Sequence, residues 1–91
     1  MHIPPIISIE DALFVFWNFN ELGNKELRML FGKLSTARIS ALKKTVKAEM
    51  NNRGIHSYGA YSINTKIAFE MFGLDAIDLE VRRKKLKDLG L

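Results

Sequence analysis

Apolar side chains recur at helical spacing in five stretches of this chain, separated by polar or glycine-bearing breaks. Ser8-Ile9-Glu10-Asp11 is a helix-start pattern, with Ser8 placed to accept first-turn amides and two acids near the positive helix end. A first helix is predicted from there through about Asn18, its wide apolar face formed by Ala12, Leu13, Phe14, Phe16 and Trp17. Asn20 to Asn24, containing Gly23, reads as a turn, with Asn24 the expected cap of a short second helix over Lys25 to Phe31. Leu27, Leu30 and Phe31 would face the core, and Gly32 is placed to end the helix. Ser35 or Thr36 then caps a third helix running to about Asn52, before Gly54.

The third helix carries the clearest pattern. Ile39, Leu42, Val46 and Met50 are spaced by three, four and four residues, which places them within about 80° of one another. Thr36, Ser40, Lys43, Lys44, Lys47 and Asn51 fall on an adjoining face, and Ala37, Ala41 and Ala48 line the remaining side. Residues 55–63 break the helical period and admit either a short β-hairpin with Gly59 near its tip or an aromatic-bearing loop. Ser62 or Asn64 can cap a fourth helix from Thr65 to Phe72, ended by Gly73. Asp75 caps a last helix with Leu79, Leu86 and Leu89 expected on its inner face. The expected fold is mainly α: one domain over residues 1–91, a compact helix-turn-helix bundle of about five helices with room for a small β-hairpin wing. Residues 1–7, with Pro4-Pro5, form an extended lead-in.

Length and charge sharpen the picture. Ninety-one residues suffice for one small core, not for a deep multilayered cleft. Cysteine is absent, which excludes disulfides and thiolate metal sites and fits a reducing cytoplasm. Ala12 to Trp17, the most apolar run, is too short to span a bilayer, and the first residues show no basic signal-peptide start. The net charge is +4, and its distribution is uneven. Residues 33–54 set Lys33, Arg38, Lys43, Lys44, Lys47 and Arg53 against Glu49 alone, whereas residues 1–32 are net acidic. A positive excess gathered on one element points to a polyanionic partner.

The stretch from Asn24 to Asn52, about a third of the chain, resembles the winged helix-turn-helix superfamily of DNA-binding regulators. The resemblance rests on Glu26-Leu27-Arg28-Met29-Leu30-Phe31-Gly32 followed by Leu34-Ser35-Thr36-Ala37-Arg38-Ile39-Ser40-Ala41-Leu42, with Arg28 where such pairs usually carry a small residue. It implies that the second helix of the pair lies in the major groove of double-stranded DNA, with Thr36, Arg38, Ser40, Lys43, Lys44 and Lys47 as the reading residues. Lys33, Ser35, Asn51 and, on a wing, Tyr58 complete the candidate DNA-binding set. Side-chain chemistry agrees: lysines neutralise phosphates and release counterions, and short or forked groups reach base edges. The expected function is sequence-specific DNA binding by a small transcriptional regulator or mobile-element accessory factor.

Other features have plainer readings. In Arg82-Arg83-Lys84-Lys85-Leu86-Lys87 the bases follow acids at Asp75, Asp78 and Glu80, which complements the helix dipole and allows Asp78–Arg82 and Glu80–Lys84 pairs. His56, Tyr58 and Tyr61 surround Gly59 as wing contacts or as a loop packed on the core. Phe14, Phe16, Trp17 and Phe19 exceed what one helix face needs, so a homodimer seam through the first helix is expected. The rival function is a protein–protein adaptor using that aromatic helix. His2 and His56 lack ligand spacing, and no phosphate loop or nucleophile elbow occurs, so neither catalysis, metal nor cofactor is expected.

Overall fold

The computed structural model describes residues 2–90. Among these, five helices and two short strands follow one another as α1 (Ile9–Asn18), β1 (Glu21–Leu22), α2 (Asn24–Phe31), α3 (Thr36–Asn52), β2 (Ile63–Asn64), α4 (Thr65–Met71) and α5 (Ala76–Asp88). The fold is mainly helical with one small antiparallel strand pair, as the hydrophobic pattern predicts.

Local chemistry sets most helix starts. Ser8 Oγ accepts the Asp11 amide at 3.1 Å, Ser35 Oγ that of Arg38 at 3.2 Å, and Asn64 Oδ1 that of Ile67 at 3.0 Å. Asp75 Oδ1 accepts from Ile77 and Asp78. Each bond satisfies an amide that the first helical turn leaves without a partner, a contribution of about 1 kcal/mol. The second helix departs from expectation: Gly23 is its cap residue, and the Glu26 carboxylate reaches back to the Gly23 amide at 2.9 Å. Asn24, inside the helix, keeps its side chain for another partner. Gly32 ends α2 at φ +83°, a conformation that a residue with a Cβ adopts only under strain.

The core lies where the helices converge. Leu13, Val15, Leu22, Leu27, Leu30, Ile39, Val46, Ile63 and Phe69 are fully buried, each worth about 1.5–3 kcal/mol of transfer free energy for the larger side chains. Phe16 packs on Phe69 at 5.0 Å between ring centroids, and Phe31 meets Phe72 edge-on at 5.2 Å. The Phe-Gly ends of α2 and α4 therefore touch in the fold. Pro4 is buried and the Ile7 amide donates to the Leu30 carbonyl, so the lead-in packs along α2. Arg28 is exposed rather than buried at the α2–α3 crossing.

Two segments differ from the pattern's expectation. The residues read as a turn before α2 include β1, which pairs with β2 in the register Glu21 to Asn64 and Leu22 to Ile63. Residues 55–62 hold no hairpin of their own; the strand pair closes across α2 and α3, and Thr65 Oγ1 secures it by donating to the Phe19 carbonyl at 2.7 Å. On α5 only Ala76 and Leu79 are buried; Leu86 and Leu89, expected inside, are exposed. The helix outruns the core that its first turns cover.

Candidate nucleic-acid interface

The 3-4-4 spacing that buries Ile39, Leu42, Val46 and Met50 fixes the rotation of α3 and hence which side chains it offers to solvent. Ser40, Lys43, Lys44, Lys47 and Asn51 line one shallow depression of about 480 Å³, together with Ala48 and, from the loop beyond α3, Tyr61. No carboxylate lines this depression among the described residues. Three ammonium groups thus share one patch beside two short polar side chains and an aromatic ring.

Two of the lysines are held in place. Lys43 Nζ donates to Asn24 Oδ1 at 2.8 Å, so the first residue of α2 orients a cation of α3. Lys47 Nζ donates to the Ala60 carbonyl and ties the helix to the loop. Partial burial, and then the positive charge of Lys47, holds the Lys43 ammonium below the ordinary lysine pKa. A phosphate at this patch would relieve that repulsion. Lys44 is exposed and forms no hydrogen bond or salt bridge among the described residues.

The loop owes its shape to Glu21. Its carboxylate accepts the Tyr58 amide, the Gly59 amide at 3.0 Å and the Ser62 hydroxyl at 2.6 Å. Those hydrogen bonds, led by Ser62 and followed by Gly59 and Tyr58, hold its pKa below the usual carboxylate value; Lys47 adds a smaller push in the same direction. A Cβ at Gly59 would lie 2.5 Å from Ser62 Oγ, so a larger residue there would turn that hydroxyl out of its bond with Glu21. Pinned in this way, the loop carries Tyr58 and Tyr61 outward, Tyr61 with 82 % of its surface exposed.

The other residues expected at the interface separate into groups. Thr36 and Lys33 are exposed at and just before the start of α3. Ser35 spends its oxygen on the helix cap. Tyr58 lies beside Lys47 and Asn51 on one side and reaches the groove of Phe16, Trp17 and Phe19 on the other, whereas Tyr61 lines the basic depression itself. Arg38 is not part of that depression; it lines a different hollow with His2, Ala41, Leu42 and Thr45. Arg53, counted above with the basic excess, is engaged by carboxylates: its Nε donates to Glu49 at 2.7 Å and its two terminal nitrogens grip Glu70 at 3.0 and 2.9 Å. Both carboxylates raise its pKa, Glu70 most.

Asn24 and Glu21 are the positioning groups that pattern reading did not assign to the site; Tyr61, read with His56 and Tyr58 as either a wing contact or part of a core-packed loop, lines the depression. Glu21 lies 37 to 41 residues from its loop partners, a separation that no local signal in the chain encodes. Among the described residues no group of three or more His, Asp or Glu side chains comes together that could hold a metal ion, and no helix is long and apolar enough to cross a membrane. No family model, no curated protein and no solved structure matches the chain.

Proposed function

We propose that the protein is a small double-stranded DNA-binding module, acting without catalysis as a regulator or accessory factor, and that α3 is the element it lays against the duplex. The observation that carries this reading is the convergence of Lys43, Lys44 and Lys47 with Ser40, Asn51 and Tyr61 on one carboxylate-free depression. Lysines along one helix face contact phosphates and release counterions. Thr36 and Ser40, exposed in the first turns of α3, are short enough to meet base edges in the major groove. The α2–Gly32–α3 arrangement supports the resemblance to helix-turn-helix proteins, in which the second helix of the pair enters the groove. The exposed alanines Ala37, Ala41 and Ala48 leave that side of α3 free of bulk that would hold it off the duplex.

Fluorescence anisotropy of a labelled duplex across a salt series tests the proposal. Binding should weaken steeply with salt, and Lys44→Ala should make the slope of log K against log salt shallower by about 0.9, the loss of one phosphate contact. Lys44 is the cleanest probe because no internal bond is lost with it. Salt-independent binding, or no binding at low salt, overturns the proposal. The rival reading, an adaptor that docks a protein on the aromatic first helix, draws support from the exposed Phe14 and Trp17. Under that reading Lys44→Ala leaves every interaction intact.

A further inference from the structure

The outer faces of α1 and α5 carry four exposed apolar side chains. Phe14 and Trp17 are neighbours one turn apart on α1, exposed to 51 % and 61 %. Trp17 shares a groove with Ile77 and donates its indole N–H to Glu80 at 3.1 Å, which joins α1 to α5. Ile77 and Val81, one turn apart on α5, are exposed to 72 % and 48 %. These four side chains leave on the order of 450 Å² of apolar surface in water. Two copies would cover about twice that before charged flanks are counted, which approaches the roughly 1,200 Å² at which specific interfaces begin.

Charge identifies the occupant. From Asp75 to Val81 every charged residue on or capping α5 is acidic (Asp75, Asp78, Glu80), and from Arg82 to Lys87 every one is basic (Arg82, Arg83, Lys84, Lys85, Lys87). Val81 sits at the change of sign. An identical helix laid antiparallel across Val81 therefore sets acids against bases on either side of the axis as far as Lys87, with Asp88 beyond the overlap, whereas a parallel one sets like against like. On the edge of the Ile77–Val81 stripe, Asp78 of one copy falls opposite Lys85 of the other, since the two lie about equally far from Val81. In the single chain Asp78 already pairs with Arg82 at 2.9 Å, an exposed contact that leaves one carboxylate oxygen for a second cation. The same arrangement gives the outer turns of α5, exposed from Lys84 onward, a helix to pack against.

We infer that a second copy of this chain docks on the Phe14–Trp17–Ile77–Val81 face, with the two α5 helices antiparallel about a two-fold axis near Val81. The inference stands apart from the DNA reading, because it uses the opposite elements and none of the α3 lysines. It moves the dimer seam expected on the first helix to α5, with α1 as its flank.

The absence of cysteine makes the register directly testable. The full chain should sediment as a dimer by about 100 µM, and Val81→Glu, a change at a half-exposed position, should return it to a monomer with unchanged helical circular dichroism. Val81→Cys should cross-link on mild oxidation because the two residues meet at the axis. Lys84→Cys should not, since its copies are offset by about 9 Å along the helices, beyond the roughly 7 Å between Cα atoms that a disulfide spans. A wild-type monomer at every concentration overturns the inference. So does a dimer unaffected by Val81→Glu, or Lys84→Cys cross-linking as readily as Val81→Cys, which would mean parallel helices.

Discussion

Replacing Glu21 with Gln tests whether one carboxylate shapes the loop beside the basic face. The native side chain uses Oε1 for the Gly59 amide and the Ser62 hydroxyl and Oε2 for the Tyr58 amide. Glutamine retains one acceptor oxygen but presents an NH₂ where the second stood. One amide of the loop then faces a donor, and the remaining bonds lose their charge assistance. Hydrogen bonds to an ionised group are worth about 1.5–3 kcal/mol against about 1 kcal/mol for neutral ones, so the change should cost about 2 kcal/mol. In a domain of this length that lowers the thermal midpoint by about 8–16 °C if the loop opens only with the whole fold.

The pH dependence has a definite sign. The folded pKa of Glu21 lies below its ordinary value of 4.5, so the unfolded chain binds the proton more readily. The stability advantage of wild type over Glu21→Gln is therefore complete above about pH 5 and is lost as pH falls through the depressed folded value. Thermal unfolding followed by circular dichroism, at neutral pH and at stepwise lower pH, follows the loss. Amide hydrogen exchange at Tyr58 and Gly59 separates local from global opening. A variant that melts with wild type at neutral pH and protects both amides equally would refute the assignment of Glu21 as the anchor.

Other substitutions probe other parts of the account. Phe69→Ala removes a fully buried ring packed against Phe16 and should cost about 3–5 kcal/mol in urea unfolding, a large share of the roughly 5–15 kcal/mol typical of a small domain. Arg38→Ala and Arg53→Gln should each alter the salt slope of duplex binding less than Lys44→Ala does. Arg38 lies outside the basic depression and Arg53 is already engaged by Glu49 and Glu70; an equal or larger effect of either would move the interface off the Lys43–Lys47 face.

The helices were legible because each is written locally. The caps at Ser8, Ser35 and Asp75 precede their amides by two or three residues, and the Ile39–Leu42–Val46–Met50 stripe announces its buried face through spacing alone. The rotation of α3 was equally legible: at 100° per residue Arg38 stands about 160° from Ser40, and only the resemblance to a recognition helix grouped it with the lysines. What the chain conceals is non-local. Strands of two residues show no alternation, so β1 resembled a turn until its partner at Ile63–Asn64, some forty residues on, was in place. Glu21 gathers Tyr58, Gly59 and Ser62 for the same reason, by virtue of that strand pair. The α5 leucines misled because helical periodicity reports which side chains share a face, not how far the core beneath that face extends.

Backbone amide shifts recorded during titration of the full chain with duplex DNA at low salt address the central claim most directly. The account predicts shifts concentrated at Thr36, Ser40, Lys43, Lys44, Lys47 and Asn51 and in the loop at Tyr61, fading as salt is raised. An unchanged spectrum, or shifts centred on Trp17, Ile77 and Val81 with α3 silent, would contradict it.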